Sequence, residues 1–360
     1  MSVYLQLQEI LDVHPASAPA SPHFDEILRT LFTNDEAKLA IHMNFAPKAV
    51  KKIAESAGID PGKAARILEG MAKKVIIFSN ERDGKKYYGL VPTIPGLFEF
   101  PFMKGGGTPM HDKLGKLWSA YHDDALGESF AGSPTPQMRV VPVEKSLTAQ
   151  SIAHPYEEVV QLIQTSDYIS LAQCACRVSV KKCDAPKDVC LIFGTPGKFL
   201  VAQGYAKEIN KNEAIKVLDR AEAAGLVHTS NNSEDKASVI CNCCPCCCTI
   251  LRGKTELKHP HAFATSAWIP KWDQKLCSLC GICADERCPM EALSFPSDLF
   301  DVDSENCIGC GLCVSGCPEK ALSLVRRESP PEVLKSVQEM GMIILQEKGK
   351  LEKFAELMQK

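Results

Sequence analysis

The first 173 residues of this 360-residue chain contain no cysteine, although the rest contains 18. No run of about 18 apolar residues occurs, so no segment reads as a membrane span. The start, MSVYLQLQEILDVHPASAPASP, lacks a basic stretch followed by an apolar block and cleavage site. It therefore does not read as a secretory signal, and a cytoplasmic location is expected. Strong charge imbalance is absent, the net charge being −3. Catalytic signatures are missing too: there are no paired carboxylates, no nucleophile elbow and no dinucleotide fingerprint. The glycines of GGGTP, residues 105–109, are not followed by Lys-Ser/Thr and make no phosphate loop. With no flavin or nicotinamide site visible, two-electron chemistry would have to come from a partner. The length favours two or three globular units.

The cysteines that are present crowd together. CNCCPCCC, residues 241–248, holds six in eight positions. Neighbouring side chains in so short a segment point in different directions, so one ion or cluster cannot collect all six. Disulfide frameworks belong to short secreted chains, and adjacent cysteines are poorly placed to pair. The clustering therefore points to metal or iron–sulfur ligation, with structural zinc as the alternative.

An internal repeat carries the strongest signal. KLCSLCGICADERCPMEALS (275–294) and ENCIGCGLCVSGCPEKALSL (305–324) each contain C-x2-C-x2-C, then a fourth cysteine followed by proline. This resembles the bacterial two-cluster ferredoxin pattern, in which the fourth cysteine ligates the other half's cluster. Three cysteines at two-residue gaps wrap one face of a cubane, and small glycines let backbone amides approach its sulfides. The resemblance implies one [4Fe–4S] cluster on Cys277, Cys280, Cys283 and Cys317, and a second on Cys307, Cys310, Cys313 and Cys288. One departure is visible: four residues, ADER, separate Cys283 from Cys288 where the pattern has three. A one-residue bulge would absorb the difference. Such clusters do one-electron chemistry, at potentials set by hydrogen bonds, charge and exposure.

Ten cysteines remain. Cys174, Cys176, Cys183 and Cys190 form a C-x-C-x6-C-x6-C set, joined by Cys241, Cys243, Cys244, Cys246, Cys247 and Cys248. This two-part pattern ahead of a ferredoxin module looks like a group of 4Fe-4S ferredoxin domain proteins of anaerobic bacteria, over residues 90–327. Ten thiolates could serve two further clusters with two spare, one cluster plus zinc, or a larger cluster. An unused thiol could act as a nucleophile. Arg177 could offset cluster charge or lie at the surface. His228 reads as a hydrogen-bonded histidine, with ligation as the alternative.

The N-terminal part reads as helices followed by a hairpin. Asn34 is placed as a helix cap, AVKKIAESAG ends at Gly58, and an Asp-Pro-Gly turn opens the next helix. VIIFSNERDGKKYYGL reads as two strands around Asp83-Gly84. Three helices and a β-hairpin over residues 30–92 resemble the winged helix-turn-helix of small bacterial regulators. Between Asn34 and Leu90, eleven Lys/Arg face seven Asp/Glu. A DNA reader would use Lys63, Arg66, Lys73 or Lys74 in the groove, and Arg82, Lys85 and Lys86 in the wing. Few of these side chains read base edges, and the helices can equally serve as a docking surface for a protein partner.

The expected architecture is α+β in five parts. They are an N-terminal helix and linker (1–22), a winged-helix-like domain (23–104), a Cys-rich iron–sulfur domain (105–262), a two-[4Fe–4S] ferredoxin domain (263–328) and a C-terminal helical arm (329–360). The expected activity is transfer of single low-potential electrons between donor and acceptor proteins. A redox-sensing DNA-binding regulator and a catalytic Cys-rich centre are the alternatives. Homo-oligomers are left open.

Overall fold

The computed structural model describes residues 1–147 and 153–359 as a mixed α and β chain. Local chemistry sets its first elements. Helix α1 (Val3–Asp12) starts at Ser2, whose hydroxyl accepts from the Leu5 amide. Helix α2 (Pro22–Leu31) starts at Ser21, with proline in its first turn. The cap of α3 (Asn34–Ala40) is Thr33, not Asn34. Thr33 and Glu36 close a reciprocal capping box that satisfies two amides, and this shifts the cap back by one residue. After β1 (Lys48–Ala49), α4 (Val50–Ala57) ends at Gly58, and α5 (Pro61–Lys73) is capped by Asp60. Strands β2 (Ile77–Arg82) and β3 (Lys85–Leu90) meet at Asp83-Gly84, with φ of 51° and 68°. Two positive φ angles match the twist of a two-residue hairpin. β1 pairs with β3, giving the order β1-β3-β2.

The apolar segment 93–103 fastens this unit to the next. Phe98 packs on Trp118 at 5.3 Å, and Phe78 and Phe100 both meet Phe199. Helix α6 (Pro109–Tyr121), capped by Thr108, lies along α2, where Phe24 stacks on Tyr121 at 4.7 Å. A short α7 (Gly127–Ala131) follows.

The middle of the chain builds one sheet from β4 (Met138–Val140), β5 (Ile169–Ala172), β6 (Cys190–Phe193), β7 (Lys207–Glu208), β8 (Val227–Asn231) and β9 (Val239–Cys243). The order is β4-β8-β9-β6-β5-β7, with every pairing antiparallel. Helix α8 (Val159–Gln164) precedes β5, and α9 (Ala175–Val180) follows it. Helices α10 (Gly194–Ala202) and α11 (Lys211–Ala223) flank β7, and α12 (Thr249–Thr255) follows β9. One apolar core runs from Tyr4 on α1 across residue 104 to Leu200 on α10. Phe24, Ile27 and Leu28 are wholly buried in it. Each contributes about 1.5–3 kcal/mol by leaving water.

The cysteine repeat folds as two short antiparallel pairs. β10 (Trp268–Trp272) pairs with the later strand β13 (Leu322–Arg326), and β11 (Leu293–Ser294) pairs with β12 (Asp301–Val302). Helix α13 (Ile282–Asp285) lies in the first half and α14 (Leu312–Ser315) in the second. Gly281 and Gly311 precede them at equivalent points, each with φ of 77°, a conformation that glycine adopts without strain. Helices α15 (Val337–Glu347) and α16 (Leu351–Gln359) return to the N-terminal helices. There Lys350 pairs with Asp12 at 2.8 Å, and the Asn44 amide donates to the Leu357 carbonyl at 2.9 Å. Among the described residues no helix is long and apolar enough to cross a membrane.

Candidate metal centres

The eight repeat cysteines gather into two small cavities. One is lined by Cys277, Cys280, Cys283 and Cys317, the other by Cys288, Cys307, Cys310 and Cys313. The first lies at the surface. Cys280 is exposed, and Leu276 and Leu279 beside it are 53% and 44% exposed. The second is deeper, with Cys307, Cys310 and Cys313 buried. Its loop is tied to the middle domain through main-chain carbonyls. The Val143 amide donates to Cys310 at 2.9 Å and the Ser146 hydroxyl to Gly311 at 2.7 Å; within the ferredoxin part, Arg327 donates to Cys307 at 2.6 Å. Burial pushes the Cys310 thiol up to about 12 and Cys283 to about 11. As bare thiols they stay protonated, so ligation must supply the positive charge that ionises them.

The extra residue between Cys283 and Cys288 has a visible consequence. Arg287, within that stretch, donates to Leu312 of the other half at 3.2 Å and to Glu222 and Ala223 at the end of α11. It clamps both halves to the middle domain. The unusual spacing was the signal available for it in the sequence.

The ten remaining cysteines divide four and six. Cys183, Cys244, Cys246 and Cys247 bring their sulfurs within 4.8 Å of one another. Cys183 lies 3.8 Å from Cys244 and 3.9 Å from Cys247, and Cys246 lies 3.8 Å from Cys247. A tetrahedral ion with metal–sulfur bonds of about 2.3 Å sets its sulfurs about 3.8 Å apart. A cubane spreads its four thiolates over four irons and holds them farther apart. The donor set and spacing therefore fit one ion. A hydrogen bond from the Cys247 thiol pulls Cys244 well below the ordinary thiol range against burial, and Arg177 adds to the effect.

The other six form a row. Cys190 meets Cys241, Cys241 meets Cys243, Cys243 meets Cys248, Cys248 meets Cys176, and Cys176 meets Cys174. Strand β9 presents Cys241 and Cys243 together because alternate residues share a face. Asn242 between them turns its amide to His228 Nδ1 at 2.5 Å and to the Val189 carbonyl at 2.6 Å. Contact with a neighbouring thiol, then burial, holds Cys174, Cys241 and Cys243 well above the ordinary thiol range.

Arg177 is wholly buried between the two sets. Its Nη1 donates to the Asn242 carbonyl at 2.9 Å and to Cys244 Sγ at 3.6 Å, while Nε and Nη2 have no hydrogen-bond partner. A guanidinium left in this state calls for nearby negative charge. His228 is buried on β8 and hydrogen-bonded to Asn242. Asn242, which ties together His228, Val189 and Arg177, had no signal of its own in the sequence.

The N-terminal cations are only partly available. Lys63, Arg66, Lys73, Arg82 and Lys85 are exposed. Lys74 is held by Glu36 at 2.6 Å, and Lys86 by Glu69 at 2.8 Å.

Residues 300–323 match the family of 4Fe-4S binding domains. They contain Cys307, Cys310, Cys313 and Cys317, the whole second half-motif. No curated protein and no solved structure matches the chain. The chain carries a 4Fe-4S binding segment together with a second cysteine-rich region able to hold metal.

Proposed function

We propose that the protein conducts single electrons from a donor protein at its surface to a buried iron–sulfur centre, through the two clusters of the ferredoxin module. The carrying observation is the graded placement of the thiols. Cys277, Cys280, Cys283 and Cys317 would hold the cluster nearest solvent, with Leu276 and Leu279 offering a small apolar contact to the donor. Cys288, Cys307, Cys310 and Cys313 would hold the next. Cys283 and Cys313 share one apolar cluster, and Cys307 and Cys310 share another with Cys243 and Cys248 of the six-thiol row. The surface set, the buried set and the row thus adjoin in sequence. Bound clusters supply the electron storage. The chain's own residues fix the order, exclude water from the inner sites and leave one thiol at the surface.

In this reading the row holds a further cluster, and Cys183, Cys244, Cys246 and Cys247 hold a single ion, zinc or iron, that pins the CNCCPCCC segment. The winged-helix-like unit is a packing and docking domain: Phe78 of its hairpin is spent on Phe199, and two of its cations are paired internally.

Metal analysis of anaerobically purified protein tests the assignment. It should give about 12 iron atoms per chain, with one further zinc or mononuclear iron. Cobalt at the four-thiol set should show the intense visible bands of tetrahedral cobalt thiolate. Eight iron atoms would remove the inner cluster, and about 16 would replace the single ion with a cubane.

A further inference from the structure

The six-thiol row forms one wall of a large cavity. Its volume is about 500 Å³, against about 10 and 20 Å³ for the cavities of the two ferredoxin cysteine sets. The cavity is therefore many times larger than the space inside either ferredoxin thiol set. The rest of the lining has no cysteine. It includes Pro15, Ile94 and Pro95, and Met340, Ile344 and Phe354 of α15 and α16.

The lining also excludes much. Among the described residues it contains no lysine or arginine, and its ionisable groups besides the thiols are Glu99 and His14. Burial lowers His14 to about 3, so it is neutral. Burial raises the Glu99 carboxyl to about 7, although the Gly96 amide donates to it at 2.8 Å. A phosphate, a carboxylate or a nucleotide entering here would lose its hydration with no cation to replace it. Closed pockets of roughly 300–1,000 Å³ with apolar walls and a few polar groups are ligand sites, and dry apolar cavities take up small neutral molecules.

We infer that this cavity binds a small, neutral, largely apolar organic molecule against the six-thiol centre, and that this molecule is the electron acceptor. The inference rests on the electron-conducting reading above. A cluster held by Cys174, Cys176, Cys190, Cys241, Cys243 and Cys248 would supply one electron per transfer, and the ligand would be reduced by one. The electron is replaced through the ferredoxin module from a low-potential one-electron carrier protein. Polar side chains of the lining, among them Glu99, Thr229 and Gln338, are the groups available to the charge that develops on the ligand. Closure depends on the C-terminal helices, since Lys348 holds the Pro15 carbonyl at 2.9 Å and Glu347 grips Thr135 at 2.8 Å.

The test uses anaerobic holoprotein, with toluene and benzoate as probes. Toluene should bind by calorimetry, and benzoate should bind at least about a hundredfold more weakly, because its charge stays unpaired. Toluene should also change the electron paramagnetic resonance signal of one reduced centre and leave the two ferredoxin signals unchanged. A Cβ at Gly341 meets only Pro15 Cγ, at 3.6 Å, so a side chain can start there without a clash. Gly341→Phe should therefore weaken toluene binding at least tenfold, while Gly341→Ala keeps it. Absence of toluene binding, equal binding of benzoate, or an unchanged spectrum in the unsubstituted protein would each overturn the inference. So would unchanged binding in a Gly341→Phe protein of normal iron content. Iron content and reduction by dithionite, read on the same sample, test the electron-conducting reading separately.

Discussion

Cys313→Ser should remove about four iron atoms per chain and cut the inner centre off from the surface. Cys313 is buried and lines one cavity with Cys288, Cys307 and Cys310. Burial holds its thiol well above the ordinary range, and the nearby Cys310 and Cys307 push the same way. A serine hydroxyl there is harder still to ionise and a poorer iron ligand, so the cluster should not assemble. The loop itself should persist, because Val143 and Ser146 hold the Cys310 and Gly311 carbonyls independently of metal. The set containing Cys317 and Cys280 should then still accept electrons from a protein donor, while the six-thiol centre should not be reduced on the same timescale. Cys317→Ser is the counterpart and should remove the outer cluster while sparing the inner ones. Iron analysis and resonance spectra of stepwise-reduced samples check both. An unchanged spectrum for Cys313→Ser would refute the ligand map. Loss of the four-thiol metal in the same variant would show that the two regions fold as one unit.

The two variants differ because Cys313 and Cys317 line different cavities, whereas the repeat itself is read by spacing, and spacing is local. The C-x2-C-x2-C turns, the helices that follow Gly281 and Gly311, and the Asp83-Gly84 hairpin are set by residues a few positions apart. They were legible for that reason. The Thr33 cap was missed by one residue, because Asn34 looks as good in isolation and only the Glu36 partner decides between them. The four-and-six division of the middle cysteines was not legible. It depends on β6 lying between β9 and β5, which brings Cys190 beside Cys241. It depends also on the chain leaving β9 at Cys243, so that Cys244, Cys246 and Cys247 turn away to meet Cys183. The cavity was invisible for a similar reason. Its far wall comes from α15 and α16, well over a hundred residues from Cys174, whose apolar stripe reads only as core or interface.

Arg177 is the residue whose two readings the sequence left level and the structure separates, and its replacement carries the second large effect. It lies at 0% exposure with one nitrogen on the Asn242 carbonyl and on Cys244, and with two nitrogens unpartnered. A full positive charge in that position is stable only against negative charge, which thiolates binding metal on either side would provide. Arg177→Leu keeps much of the volume and removes the charge. It should destabilise the holoprotein by about 3–5 kcal/mol, the range for removing one partner of a buried pair. The metal of the Cys183, Cys244, Cys246 and Cys247 set should also be lost more readily to a chelator, since Cys244 loses a hydrogen bond from a cation. Arg177→Lys restores a point charge without the planar fork and should recover only part of the loss. Anaerobic denaturant titration and chelator-release kinetics on the three proteins measure both effects. Apoprotein gives the decisive comparison. With most of the thiols protonated, the buried guanidinium keeps Cys244, whose thiol is held low, as its main counter-charge, so Arg177→Leu should cost less there than in the holoprotein. Equal losses with and without metal would mean that Arg177 acts through packing and the Asn242 carbonyl alone, and that the charge coupling between the two thiol sets does not exist.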